Sequence, residues 1–539
     1  MNVRLPVGAS ASLRWALVAA GAAALLAFVW ILVPPLVNSD SAAVVLLADE
    51  LVKSGRWLSP DWFYVSDSLM LDGSVHAARV GVWLFGATVD AARFSIAAGV
   101  LLALLAGCWL GEVLSARRSH ALIAVSALLL GPSLIHQDLI IELPTTFQIA
   151  LVLSLLACAI RFGVQGRTWW YLWPACSMIV LLACSAPKKA MVYALLPVIG
   201  GVVSQWIPVR DGAAAGDGRH RRLWSLLASS VLAWVVGYWM HSQLKHGLVV
   251  NTSYAQMSFV PEPGHVLHNL GTIGSLAWKF AGADGGAVAA IAAMLAIACW
   301  AWLAVAPVAT RRPWQALRGA RGFAYGFAMA GTLAIFAYLL LYEQIRLYYG
   351  IYYALVTAAP LFLLAAGDRG DAGALRARAS FAALACLLML GIATTAMACI
   401  KFPADYFGIS KNQRSTSAER AQAVDWLVAN GFGRGFADYW DANAMTLVSG
   451  GKLQVGSFHF LPRRSRTSRH AWLSSTERTN FVPGREDWFI AVNARRRALK
   501  PTAACLPADR VVEVASYRIY LYSRPKPGCL APPVKPRRG

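Results

Sequence analysis

The feature that most constrains this chain is the recurrence of apolar runs, each close to 20 residues long, through its first 400 positions. A helix of about 20 apolar residues is long enough to cross the roughly 30 Å hydrocarbon layer of a bilayer. Only 14% of the residues are charged, whereas soluble domains carry about a quarter. The sequence therefore predicts a polytopic α-helical membrane protein.

Eleven runs, bounded by turn and charge signals, are predicted to span the membrane. They are 14–35, 92–114, 120–137, 139–161, 169–184, 190–206, 223–241, 286–308, 322–342, 350–366 and 380–399. A shorter run, 77–89, is interrupted by Arg79 and ends at Asp90. We predict that it forms a helix at the membrane interface instead of a span.

Arginine placement orients these spans. The loops "SARRSH", "RFGVQGRT", "PVRDGAAAGDGRHRR", "TRRPWQALRGAR" and "GDRGDAGALRARA" all fall on one side of an eleven-span topology. Basic loops stay in the cytoplasm, so this side and the N-terminus are predicted to be cytoplasmic, in a bacterial inner membrane. The net charge of +22 fits that bias and attraction to anionic lipids. No nucleic-acid partner is predicted, because no nucleic-acid-binding signature is found.

The odd span count places segment 400–539 on the outer, periplasmic side. "SAERAQAVDWLVANG" has helical spacing and a glycine stop, a helix is expected within "GFADYWDANAMTLVSGG", and "DWFIAVNA" and "VVEVASYRIYLYS" read as strands. We predict a transmembrane domain, 1–399, followed by a small soluble α/β domain, 400–539. Cys505 and Cys529 lie in its polar tail, and a periplasmic location would allow a disulfide between them.

Polar groups gather in the predicted outer loops. The first of these loops, 36–91, carries Asp40, Asp49 and Glu50, followed by Asp61, Asp67 and Asp72. Later loops add His136, Asp138, Glu142, Lys188, Lys189, Glu343 and Arg346. Each has a simpler interpretation as a helix cap, a solvated face, a snorkelling lysine or a structural ion pair. If 41–53 is a helix, Ser39 or Asp40 is its N-cap.

Lys188 and Lys189 are the hardest of these residues to explain structurally. The bias of basic residues towards the cytoplasm disfavours two adjacent lysines in a short outer loop, and a lipid phosphate would supply a compensating anion. A carboxylate opposite fixed cations suits transfer from a phosphate-activated lipid. The carboxylate takes the acceptor's proton, and the cations stabilise the departing phosphate.

At the level of architecture the chain resembles the GT-C superfamily of polytopic glycosyltransferases, such as the aminoarabinose transferases of lipid A and the protein O-mannosyltransferases. These enzymes use polyprenyl-phosphate-linked sugars, and "NSDSAAVVLLADELVKSGRW" followed by "PDWFY" resembles the first outer loop that carries their catalytic Asp. The resemblance implies that Asp40 is the general base. Many relatives have an adjacent Asp-Glu pair there, whereas here that pair is Asp49–Glu50, which stays an alternative.

The resemblance also implies outer-face cations on the lipid phosphate, for which the candidates are Lys188, Lys189 and Arg346. Further candidate substrate contacts are Glu343, His136, Asp138 and Tyr64, and the C-terminal residues Asp438, Tyr439, Trp440 and Asp441 are candidates for binding a sugar acceptor.

The expected activity is inverting transfer of a hexosyl or pentosyl group from a polyprenyl-phosphate carrier to a lipid, glycan or protein acceptor. The alternatives are a lipid-linked saccharide transporter or flippase, a polysaccharide polymerase or ligase, and a non-catalytic assembly subunit. No inverted repeat supports the transporter. No cofactor is expected. A divalent metal held by the first-loop acids stays an open alternative, although no ligand spacing requires one.

Overall fold

The structure is a computed structural model of the 539-residue chain. It describes residues 7–37, 39–65, 67–133, 136–137, 145–206, 217–251, 259–282, 287–309, 319–341, 347–366, 374–401, 417–461, 466–469, 473–481, 486–494, 505, 507–524 and 529.

Helices account for most of the first 400 residues. In chain order they are α1 (Val7–Ala27), α2 (Ser39–Ser54), α3 (Ser74–Phe85), α4 (Val89–Val113), α5 (Arg118–Leu130), α6 (Thr145–Ala159), α7 (Leu172–Ser185), α8 (Pro187–Ala190 continuing through Leu196–Ser204), α9 (Asp217–Lys245), α10 (Pro263–Phe280), α11 (Ala287–Val305), α12 (Gly319–Leu341), α13 (Leu347–Ala366) and α14 (Ala374–Lys401). Wider π turns extend α1 through Phe28–Leu32 and α6 through Ile160–Val164, and another lies within α8 at Met191–Leu195.

Every predicted apolar run coincides with one of these helices, but the helices differ in length. Within the described residues, seven are long and apolar enough to cross a membrane: Ala11–Leu32, Val89–Val113, Thr145–Val164, Gly218–Lys245, Ala287–Val305, Gly319–Leu341 and Leu375–Ile400. Helix α5, with 13 residues, rises about 20 Å, which is short of a full crossing. The polytopic helical class is confirmed, and the count of eleven spans stays a prediction.

Contacts between loops sort the helix ends onto two sides. On one side, the Leu69 amide donates to the Ser185 carbonyl at 2.8 Å and the Val260 amide to the Leu341 carbonyl at 2.8 Å. On the other, Arg161 pairs with Glu112 at 3.0 Å, which joins the ends of α4 and α6 next to two loops that were predicted to be cytoplasmic. We call these the first-loop side and the arginine side.

The first loop contains two helices and a short strand. Helix α2 begins at Ser39, so Asp40 lies in its first turn. The expectation that Ser39 or Asp40 is the N-cap is therefore wrong, because both residues lie within the helix. The negative charge of Asp40 is still favourable at the positive end of the helix dipole. Helix α3 confirms the predicted helix in this region, and Trp83 on it is 76% exposed, as suits the membrane interface. Strand β1 (Phe63–Val65) pairs in parallel with β2 (Val249–Asn251), which joins two loops of the first-loop side.

Helix α10 lies in the predicted outer loop 242–285 and was not predicted. Its buried residues, Asn269, Ile273, Leu276 and Phe280, follow the spacing of one helix face. Glu262 and Pro263 stand at its start, where proline is favoured. The spacing and this start signal were present in the sequence, so the helix was detectable.

The C-terminal segment forms a six-stranded mixed sheet with strand order β5-β4-β3-β6-β8-β7. The strands are β3 (Arg434–Asp438), β4 (Gln454–Leu461), β5 (Arg466–Arg469), β6 (Trp488–Asn493), β7 (Arg510–Val514) and β8 (Tyr517–Tyr522), and the helices are α15 (Ser417–Ala429), α16 (Tyr439–Val448) and α17 (Thr476–Asn480). Strand β3 pairs in parallel with both β4 and β6. The predicted helix, strands and α/β class are confirmed, and Cys505 is joined to Cys529 by a disulfide.

Candidate functional site

The Asp40 carboxylate lies where the first loop meets the C-terminal sheet. The Tyr439 hydroxyl, at the start of α16, donates a hydrogen bond to Asp40 Oδ1. Asp438 caps α16 by accepting from the Trp440 amide at 3.2 Å, which fixes the end of the helix from which Tyr439 projects. Tyr439 is 7% exposed, so its hydroxyl bonds Asp40 from a packed position.

A buried ion pair between Arg420 and Asp441 lies next to the contact between Tyr439 and Asp40. Asp441 accepts from Arg420 Nε at 3.2 Å and from the Tyr517 hydroxyl at 2.9 Å. Arg420 also donates from Nη1 to the Val37 carbonyl at 3.0 Å, which reaches the chain just before α2. The Asn443 amide donates to the Ser39 carbonyl at 3.4 Å. Three side chains of the C-terminal segment therefore hold the first turn of α2.

Asp49 and Glu50, the alternative pair, have different surroundings. Nine residues are two and a half turns of helix, so Asp49 faces away from Asp40, and Lys53 pairs with it at 2.6 Å. Burial raises the pKa of the Glu50 carboxyl above its usual value, and the charge of Asp61 raises it further.

The buried Arg478 lies near these acids and its guanidinium is 5.6 Å from the centre of the Trp62 ring. Burial lowers its pKa to about 10, and the charges of Glu50 and Asp49 oppose that effect. Backbone bonds join the same two segments, from the Phe63 amide to the Ser474 carbonyl at 2.9 Å and from the Thr476 amide to the Asp61 carbonyl at 2.8 Å. Asp49, Glu50 and Arg478 therefore lie where the first loop contacts the C-terminal segment.

An apolar cavity of about 620 Å³ opens between α4, α6 and α7. Its lining is Asp72, Gly73, Leu102, Leu105, Ala106, Trp109, Phe147, Ala150, Leu151, Ser154 and Leu181. Leu105 is 58% exposed, which places the cavity at the outer surface of the helix bundle. The lining runs from Gly73 and Phe147 on the first-loop side towards Trp109 near the opposite end of α4.

Asp72 is the single charged residue among those lining the cavity, and it is 5% exposed. Its Oδ1 accepts from the Ser74 hydroxyl and its Oδ2 from Gln148 Nε2, each at 2.9 Å. Burial raises the pKa of this carboxyl, while the hydrogen bonds from Gln148 and Ser74 and the charge of Lys189 act in the opposite direction. A buried carboxylate thus lines the apolar cavity on the first-loop side, and the charge of Lys189 acts on it.

The other predicted substrate contacts are dispersed. Lys188 is exposed and Lys189 half-buried at the start of α8. His136 is buried, with Nε2 2.6 Å from the Leu128 carbonyl. Tyr64 is buried, its hydroxyl accepts from the Ser59 amide at 3.1 Å, and burial raises its pKa to about 12. Glu343, Arg346, Asp138 and Glu142 lie outside the described residues.

Sequence reasoning gave Asp72 no role in the site and did not identify Gln148 at all. The signal for Gln148 was a polar amide inside an apolar run, since a polar group in such a run requires a partner. Within the described residues, no three His, Cys, Asp or Glu side chains form a group that would hold a metal ion.

Fold and site together define a polytopic membrane protein with a buried carboxylate, Asp72, in the lining of an apolar cavity. Two solved structures share the fold, both of ArnT from Cupriavidus metallidurans. The one bound to undecaprenyl phosphate gives a TM-score of 0.54 at 13% identity, over 96% of this chain and 98% of that chain. The apo structure gives 0.55 at 13% identity, over 95% and 98%. No protein-family model and no curated protein sequence matches. The predicted architecture, a polytopic helical bundle with a C-terminal α/β region, is confirmed, and these two structures share it.

Proposed function

We propose that this protein is a membrane glycosyltransferase that moves a sugar from a polyprenyl-phosphate carrier to an acceptor on the periplasmic side of a bacterial inner membrane. The observation that carries the proposal is the apolar cavity with Asp72 at its head and Lys189 near it. A carrier lipid needs a hydrophobic channel for its chain and a cation for its phosphate. The ArnT of the same fold binds undecaprenyl phosphate, which is a lipid of this kind.

In this proposal the first isoprene units of the carrier lie in the cavity, and the rest of the chain runs along the lipid-facing surface. The phosphate stays at the first-loop side near Lys189, where the lysine stabilises the negative charge that develops as the sugar leaves. Lys188, the next residue along the chain and exposed, adds a second positive charge to the same short break between helices.

Asp40 is the general base in this proposal. It sits next to the end of α1, close to where a lipid headgroup lies, and the hydrogen bond from Tyr439 orients its carboxylate. It takes the proton of the acceptor's nucleophile as that nucleophile attacks the sugar's anomeric carbon, with inversion and loss of the polyprenyl phosphate. An acceptor would approach between the first loop and the C-terminal sheet.

The periplasmic location is supported by the disulfide between Cys505 and Cys529. Disulfides persist in the periplasm and are rare in the cytosol. In the same C-terminal segment, Arg420 of α15 and Asn443 of α16 bind the first loop. These contacts support a location of both segments on the side opposite the arginine-rich loops.

The test uses the full chain in nanodiscs with a panel of polyprenyl-phosphate sugars. Asp40→Asn is expected to lower turnover about 100-fold or more while polyprenyl-phosphate binding is kept, and Asp49→Asn is the matched control. Loss in Asp49→Asn alone would move the base to the Asp49–Glu50 pair.

A second pair of variants tests the cavity. Ala150→Phe fills it and is expected to weaken polyprenyl-phosphate binding about 10-fold, whereas Val288→Phe, on the exposed surface of α11, leaves binding unchanged. If the wild type binds no polyprenyl phosphate, the proposal is wrong and transport or assembly becomes the better account.

A further inference from the structure

A loop on the first-loop side has an unusual backbone. Residues 67–73, which we call the acid loop, connect β1 to α3 and end with Asp72 and Gly73 at the head of the cavity. Asp67 and Met70 have φ angles of 57° and 56°, in the left-handed region that residues other than glycine rarely adopt. Such a conformation persists only when the surroundings hold it.

Two basic residues of α9, Lys245 and His241, contact the start of the acid loop. Lys245 Nζ lies 2.5 Å from Asp67 Oδ1, and His241 Nε2 lies 3.4 Å from the same oxygen. The other ring nitrogen, Nδ1 of His241, is 2.8 Å from the Cys184 carbonyl. The contacts with His241 and Lys245 hold the pKa of Asp67 well below its usual range, so the carboxylate is charged at neutral pH.

The middle of the acid loop is bonded to the end of α7. The Leu69 amide donates to the Ser185 carbonyl at 2.8 Å, and the Leu71 amide donates to the Ser185 hydroxyl at 3.0 Å. Because His241 also bonds Cys184, one turn of α7 contacts both the loop and the histidine that faces Asp67. The loop is thus fixed at its start, at its middle and, through Gln148, at Asp72.

Lys245 is as anomalous in sequence as Lys188 and Lys189, because it is basic and stands on the side away from the arginine-rich loops. Lys245 nevertheless stands next to Asp67, whose backbone is in a left-handed conformation. A substitution of Lys245 would remove the basic residue from this side, and a substitution of Asp67 would remove the left-handed aspartate. A structural ion pair between exposed side chains would not need that strain, as the pair of Asp49 and Lys53 on α2 illustrates.

We propose that Asp67, His241 and Lys245 are positioning residues that fix the acid loop and so hold Asp72 at the head of the lipid cavity. Their role rests on the proposed function only in that the cavity takes the carrier lipid. They act before chemistry, so their loss changes lipid binding more than turnover of bound lipid.

Amide hydrogen exchange of the full chain in nanodiscs tests the positioning directly. Asp67→Asn and Lys245→Met are expected to speed exchange of peptides covering 67–73 by about 10- to 100-fold, because a charge-assisted bond to the loop is lost. Lys245→Arg keeps the charge and is expected to restore most of the protection. Lys53→Met, which breaks an exposed ion pair, is the control and leaves this loop unchanged.

The second measurement is the affinity for undecaprenyl phosphate. Asp67→Asn and Lys245→Met are expected to weaken it about 10-fold, and in the transfer assay to raise KM with little change in kcat. Tighter binding in Asp67→Asn would overturn the proposal. It would show that Lys245 and His241 bind the lipid phosphate and that Asp67 competes with the phosphate for them. Unchanged exchange of 67–73 in both variants would overturn it as well.

The exchange measurement does not depend on activity. If the wild type neither binds the lipid nor transfers sugar, the proposed function is wrong. Hydrogen exchange of residues 67–73 still decides whether Asp67 and Lys245 fix the acid loop. If Lys245→Met does not fold, Asp67→Asn, which keeps the shape of the side chain, gives the answer alone.

Discussion

Two sites in the first loop are held by different parts of the molecule. Around Asp40, Tyr439 bonds the carboxylate and Arg420 bonds the Val37 carbonyl, and both come from the C-terminal segment. Around Asp72, Gln148 of the helix bundle bonds the carboxylate, and the charge of Lys189 acts on it. The two carboxylates therefore depend on different supports.

The proposed site would therefore draw on both parts of the chain. The helix bundle supplies the apolar cavity and Gln148, which bonds Asp72 of the first loop, whereas Tyr439 of the C-terminal segment bonds the proposed base, Asp40. Damage to one support is expected to leave the other intact. The four predictions below test that separation, beginning with the largest effect.

Arg420→Met is expected to destabilise the C-terminal sheet by about 3–5 kcal/mol, because it leaves the Asp441 carboxylate buried without its cation. It also removes the bond to the Val37 carbonyl. Denaturant unfolding followed by tryptophan fluorescence, with hydrogen exchange of α16, measures both effects. Arg434→Met is the control, since its pair with Glu477 is exposed and is expected to contribute less than about 1 kcal/mol. Equal effects of the two variants would contradict the buried-pair account.

Gln148→Leu is expected to destabilise the acid loop around Asp72 by about 1.5–3 kcal/mol, the usual contribution of a hydrogen bond to a charged group. The loss is expected to appear as faster exchange in the acid loop, with α16 unchanged. Gln454→Leu is the control, because Gln454 donates to the neutral Gly451 carbonyl at 2.9 Å. If Gln148→Leu also sped hydrogen exchange in α16, the supports of Asp40 and Asp72 would not be independent.

Tyr439→Phe removes the donor to Asp40 and little else, because the ring keeps its packing. Turnover is expected to fall about 10-fold with lipid affinity unchanged, since the carboxylate loses a hydrogen bond that orients it. Steady-state kinetics and lipid binding on the same preparation give the two numbers. A change in lipid affinity with normal turnover would place Tyr439 in the donor site and not beside the base.

Glu50→Gln is expected to have the smallest effect, with a defined pH dependence. Burial and the charge of Asp61 raise the pKa of Glu50 in the folded protein, so the fold favours its protonated form. The wild type then has full stability below the unfolded value of about 4.5 and loses some as the pH rises through the raised value. The Gln variant is expected to melt higher at pH 8 and equally at pH 4. If the Gln variant melted higher than the wild type at pH 4 alone, the predicted direction of the Glu50 pKa shift would be wrong.

Features encoded in neighbouring residues were predictable. The apolar runs gave the helices, the loop arginines gave a topology with which the loop contacts agree, and period-two alternation gave β8. Helix α10 was missed although its spacing was present. The predicted N-cap, Ser39 or Asp40, was wrong because the helix begins at Ser39, two residues before the predicted start.

The site was less predictable. Asp40 was chosen for its depth next to the first span, and the structure puts it beside Tyr439, which sequence reasoning had considered for an acceptor sugar. Asp67 and Asp72 were noticed only as acids in a loop, because nothing local distinguishes a buried carboxylate with two donors from a solvated one.

By itself the sequence determined the class of protein, since hydrophobic length and helical or strand periodicity are properties of short segments. It also determined which loops carry the charges. Only the tertiary structure decided which charges meet. Asp72 and Gln148 are 76 residues apart, and Asp40 and Tyr439 are 399 apart. Contacts over such separations depend on how whole helices and the C-terminal sheet pack, and no local pattern records that packing.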